Sequence, residues 1–82
     1  EGQATLSRTV MVESPESEIA AVLSQLQGRF DTVDIGSYPQ FRQGGGWGVS
    51  VVLRGLNDAV LNEAQDALVS ELKDQGIKIK IM

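Results

Sequence analysis

Carboxylates, hydroxyls, arginines and lysines are the only groups from which this 82-residue chain could build chemistry, because it has neither histidine nor cysteine. Without histidine it lacks the commonest general base and the commonest neutral metal ligand. Without cysteine it has no thiol chemistry and no disulfide scaffold. Two carboxylate pairs, Asp31 with Asp34 and Glu63 with Asp66, are close enough in sequence for acid–base work. Nothing around them points to the burial that would tune such a pair, so solvated faces are the reading they support. A serine nucleophile needs a base, and the lysines (Lys73, Lys78 and Lys80) stand near the C-terminus at exposed-looking positions. A metal would need an all-oxygen ligand set, and no loop has that spacing. The expectation is a chain with no catalytic residue, no metal and no cofactor.

Gly44-Gly45-Gly46-Trp47-Gly48 is the one stretch with the composition of a phosphate cradle. Such loops work because backbone N–H groups converge at a helix N-terminus. Here strand-like sequence flanks the glycines, so they read as a hairpin tip. Charge argues the same way. Seven basic against eleven acidic side chains give a net charge of −4. Phosphate contacts carry much of nucleic-acid affinity, so nucleic acid is not an expected partner, nor is an anionic membrane. No apolar run approaches the roughly 20 residues that span a bilayer, and no signal-peptide pattern opens the chain. A cytoplasmic setting is expected. A first residue of Glu1 rather than Met suggests a piece of a longer protein.

The length allows one domain, residues 1–82, with a single shared core. Thr5 to Glu13 alternate as a strand, Leu6, Val10 and Val12 inward, with Arg8 as a misfit on that apolar face. Ser14 caps a helix with Pro15 in its first turn, and Ile19, Val22, Leu23, Leu26 and Phe30 make its stripe, with Gly28 as its stop. Thr32 to Ser37 is a second strand, Gln40 to Gly46 a loop, and Trp47 to Arg54 a third strand with Val49, Val51 and Leu53 inward. Asn57 caps a second helix, Leu56 and Leu61 forming a hydrophobic staple. Its stripe is Val60, Leu61, Ala64, Ala67, Leu68 and Leu72, and Gly76 ends it. Ile77, Ile79 and Ile81 alternate with Lys78 and Lys80 in a last strand, where the lysines guard an edge. The order predicts an α+β, ferredoxin-like βαββαβ sandwich: a four-stranded antiparallel sheet with two helices on one face.

Such a sheet binds RNA in some proteins by stacking bases on aromatics of its central strands. The outward positions here, Thr9, Met11, Ser50, Val52 and Arg54, include no aromatic, which argues against that role. The aromatics Tyr38, Phe41 and Trp47 instead flank the loop between strands two and three. Two compatible readings stand: they cover the open end of a small core, or they form a docking patch.

Arg29 to Pro39, ending Ile35-Gly36-Ser37-Tyr38-Pro39, and Gly48 to Gly55, ending Val51-Val52-Leu53-Arg54-Gly55, resemble the module that follows the molybdopterin-binding-like domain in the competence/damage-inducible protein A (CinA) family. A related module occurs beside the corresponding domain of eukaryotic FAD synthases. The resemblance extends from the first strand to the second helix. It implies a fold sometimes described as KH-type, in an accessory, non-catalytic domain. The parent would act in pyridine-nucleotide and ADP-ribose metabolism, as a nucleotide pyrophosphatase or nicotinamide-nucleotide amidase, through domains lying elsewhere. It implies interdomain packing or dimer geometry as the role, with other domains of the parent as partners and a homodimer formed through the parent. Gly36, Ser37, Tyr38 and Pro39, with Phe41 and Trp47, are the expected contact residues. A regulatory domain of the same fold, binding a small molecule near the loops at the sheet end, is the alternative.

Overall fold

The computed structural model describes residues 5–42 and 46–81, with side chains 40–42 and 46–47 excluded. Its elements run β1 (Leu6–Val12), α1 (Glu16–Arg29), β2 (Asp34–Arg42), β3 (Gly46–Gly55), α2 (Asp58–Asp74) and β4 (Ile79–Ile81). The sheet is antiparallel in the order β2-β3-β1-β4, the expected ferredoxin-like arrangement. β1 and β3 form its centre, paired from Leu6↔Gly55 to Val12↔Val49.

One core lies between the helices and one sheet face. Val10, Val12, Val49, Val51 and Leu53 from the strands meet Ile19, Val22 and Leu26 of α1 and Leu61, Ala64, Leu68 and Leu72 of α2. Each is buried, and burying a leucine or valine completely stabilises by about 1.5–3 kcal/mol before entropy is counted. Arg8, the misfit of β1, lies at the rim of this face and pairs with Asp58, the first residue of α2. That carboxylate also favours the helix dipole, so a charge between Leu6 and Val10 in the apolar row is accommodated rather than buried.

The ends of α2 follow the sequence reading. Asn57 Oδ1 accepts from the Val60 N–H at 3.1 Å. Gly76, at φ +75°, lets its own N–H reach the Lys73 carbonyl (2.9 Å) and the Ile77 N–H the Leu72 carbonyl (3.0 Å), satisfying two terminal carbonyls. Other boundaries need correction. The N-cap position of α1 is Pro15 and carries no side-chain cap; Ser14 lies one residue earlier, buried, its hydroxyl 3.3 Å from Glu18 Oε2. Gly28 lies inside α1 rather than stopping it, and the Phe30 N–H closes the helix on Leu26. Leu56 is exposed, so the expected staple with buried Leu61 does not cover it.

The largest correction concerns β2, which begins at Asp34 rather than Thr32 and continues through Arg42, so Gln40 to Arg42 are strand and not loop. Pairing with β3 from Asp34↔Arg54 to Arg42↔Gly46 overrides the weak strand preference of Gly36 and Pro39. Gly44 and Gly45 lie outside the described residues, and β3 begins directly after them, as a hairpin requires.

β2 is an outer strand, and Gln27 of α1 closes the start of its open side. The Gln27 Nε2 donates to the Val33 carbonyl at 2.7 Å, and its Oε1 accepts from the Ile35 N–H at 3.1 Å. One side-chain amide thus stands where a neighbouring strand's peptide would. By alternation Pro39 faces the same open side, where its missing N–H costs no ladder bond.

Two glycines give opposite expectations. A Cβ at Gly48 would stand 2.6 Å from the Val12 carbonyl oxygen, whereas one at Gly28 would meet nothing within 4 Å. Gly48→Ala is therefore predicted to destabilise by about 1–3 kcal/mol. Gly28→Ala is predicted to stabilise by about 0.5–1 kcal/mol. Urea midpoints moving in the same direction for both would contradict this register. Gln27→Ala is predicted to cost roughly 1–2 kcal/mol and to speed hydrogen exchange at Ile35 above that at Leu53, the residue opposite it.

Candidate functional site

Side chains alternate across a strand, and this divides the expected contact segment in two. Ser37 and Pro39 lie opposite Val51 and Val49, both buried under the helices, and so share the helix side. Gly36 and Tyr38 lie opposite Val52 and Ser50, on the face that no helix covers. Ser37 lines a shallow groove with Ala20, Leu23 and Ser24 of α1, while Pro39 is exposed. Phe41 and Trp47 are direct partners in the β2–β3 ladder, beyond the Val12↔Val49 pair where β1 stops. The structure therefore brings together Gly36 with Tyr38 and, in the backbone, Phe41 with Trp47, but not the six residues as one patch.

Tyr38 stands on the outer strand of the uncovered face. Its ring leans back along the strand over Gly36, where a Cβ would stand 3.1 Å from the hydroxyl oxygen. Beside it lies a depression of about 270 Å³, lined by Gly36, Val52, Tyr38, Asp34 and Arg54 and, at the β2 edge, by Gln27 and Ile35. Asp34 and Arg54 are ladder partners, and both are exposed. Beside Tyr38, Ser50 is only 7% exposed although it belongs to the free face, and its hydroxyl donates to the Met11 thioether sulfur at 2.9 Å. Met11, Thr9 and Val52 around it are half-buried. Tyr38 itself remains 51% exposed.

A phenol, a guanidinium and a carboxylate around an apolar floor are groups for contact with another surface. The carboxylate pairs stand apart from it: Asp31, Glu63 and Asp66 are exposed elsewhere, and only Asp34 borders the depression. Among the described residues no three acidic side chains gather as a metal-binding group, and no helix is long and apolar enough to cross a membrane. Sequence reasoning missed Tyr38 on this face because it ended the strand at Ser37; the outward row does contain an aromatic. One ring opposite a serine is still short of the two or three stacking positions of an RNA-binding sheet.

No curated protein matches the sequence. Among solved structures, the de novo designed protein Foldit4 matches with a TM-score of 0.71 at 14% identity, over 95% of this chain and 91% of that one. At that identity the likeness shows the fold alone. The family model "FAD synthase, middle domain" matches residues 4–80. This overturns the CinA assignment, and with it the molybdopterin-binding-like neighbour that the resemblance implied. The segments that carried that resemblance, around Gly36 to Pro39 and Val51 to Gly55, are paired strands β2 and β3, so they identify a module and not the protein that carries it. The chain belongs to the FAD synthase middle-domain family.

Proposed function

We propose that this chain is a non-catalytic module of an FAD synthase, and that it holds a neighbouring domain of its parent against the free face of its sheet. Three things support this reading. The family description is of a middle domain, which implies protein on either side. The contact groups lie on the sheet face that the chain's own helices leave uncovered. Tyr38, half-exposed over a glycine floor, is the single observation that carries it, because aromatic side chains with one polar end are preferred anchors of interfaces. A cytoplasmic setting belongs to the same reading, and a chain without cysteine is compatible with it.

In the full-length parent, Asp31→Asn, and Glu63→Gln with Asp66→Asn, should leave kcat for FAD formation within about twofold. Loss of general acid–base catalysis typically costs 10²-fold or more, about the size of effect that would end the non-catalytic reading. Leu56 supplies an internal control for docking, since at 56% it is as exposed as Tyr38 but stands in the β3–α2 connection. Tyr38→Ala should lower the parent's thermal midpoint by roughly 2–4 °C, the shift that about 1 kcal/mol produces in a domain of 150–250 residues. Leu56→Ala should leave it unchanged. Equal shifts for the two variants would count against a docked Tyr38.

A further inference from the structure

Lys73, Lys78 and Lys80 are the only lysines of this acidic chain, and all three border one cavity of about 470 Å³. Met11, Ile77 and Ile79 supply its apolar lining, and Glu13 the one carboxylate. The chain reversal at Gly76 is what gathers them: it turns the last turn of α2, with Lys73, back into β4, with Lys80 opposite Met11. A lysine near a helix C-terminus complements the dipole, and lysines on an edge strand discourage indiscriminate pairing. Neither role calls for an apolar lining between the charges. Ile77 and Ile79 are half-buried there, and Ile81 beside them is 55% exposed.

The ladder adds a second set of contacts. The Glu13 N–H donates to the Lys78 carbonyl at 2.9 Å, so residue 78 bonds inward to β1. By alternation Ile79 turns its own N–H and C=O toward the open edge of the sheet. From this combination we infer that the β4 edge is a docking groove for an acidic, extended polypeptide segment. Its backbone pairs with Ile79, its apolar side chains rest on Met11, Ile77 and Ile79, and its carboxylates meet the three ammonium groups. Strand addition supplies the hydrogen bonds in such a groove, and alternate side chains supply the selectivity. A polypeptide suits it better than a nucleic acid: a short acidic segment meets only this basic patch, while a long polyanion also meets the surrounding acidic surface.

The test is an NMR titration of the ¹⁵N-labelled chain with an eight-residue peptide alternating glutamate and valine. Saturable shifts at Lys73 and Ile77–Ile81 are expected, with none from the lysine–valine counterpart. Lys78→Gln with Lys80→Gln should weaken binding about fivefold, the sum of two exposed ion pairs, and leave amide shifts elsewhere in place as proof of folding. No response to the acidic peptide would overturn the proposal. So would equal binding of the basic peptide, matching shifts from inorganic phosphate alone, or shifts that depend only on chain concentration and so report self-association.

Discussion

The two helices cover one face of the four-stranded sheet, and most of the distinctive features of this molecule stem from the face they leave bare. The core sits wholly on the helix side, where Val10, Val12, Val49, Val51 and Leu53 meet both helices. The opposite side of the same strands cannot be a second core, yet it is not a row of solvated charges either. Met11, Val52 and Tyr38 occupy it around a nearly buried Ser50, with Asp34 and Arg54 at one end. A half-apolar face of this kind is tolerable alone and better satisfied against a partner. That is the physical ground for the docking role we propose.

The sheet edges are treated differently. β2 is protected at two points of its open side, by the Gln27 amide at its start and by the missing N–H of Pro39, devices that remove pairing groups without regard to what approaches. β4 is three residues long and keeps its outward pairing groups, but sets them beside lysines. Charge there discriminates instead of blocking: it repels basic strands and admits acidic ones. The start of the β2 edge is thus capped, whereas the β4 edge keeps its pairing groups beside lysines.

Much of the fold was legible in the residues. Both helical stripes, the order of six elements, Asn57 as a cap and Gly76 as a stop were readable because each rests on a local rule of period or backbone conformation. What escaped depended on partners far along the chain. The sequence reads as a strand ending at Ser37 and a loop beginning at Gln40, but one-for-one pairing with β3 continues the strand through Arg42 and carries Tyr38 onto the free face. Gln27 has the sequence character of a solvent position; only its place four residues after Leu23, beside the apolar stripe, hints that it reaches the sheet. Arg8 breaks the apolar pattern of its strand, and only the position of Asp58 above it explains why. Alternation divides the expected contact segment, with Gly36 and Tyr38 on the free face and Ser37 and Pro39 on the helix side. The family was missed for a related reason: the residues taken as its signature are those that build the β2–β3 ladder.

The central claim is that the free face is covered in the parent, and hydroxyl-radical footprinting tests it most directly. Tyr38 and Met11 both react readily when exposed, and Tyr38 is 51% open in this chain alone. Oxidation of Tyr38 in the full-length parent should fall severalfold relative to the isolated module, with Met11 falling alongside it. Equal oxidation of Tyr38 in the two would mean that the face stays open, and the docking account would be wrong.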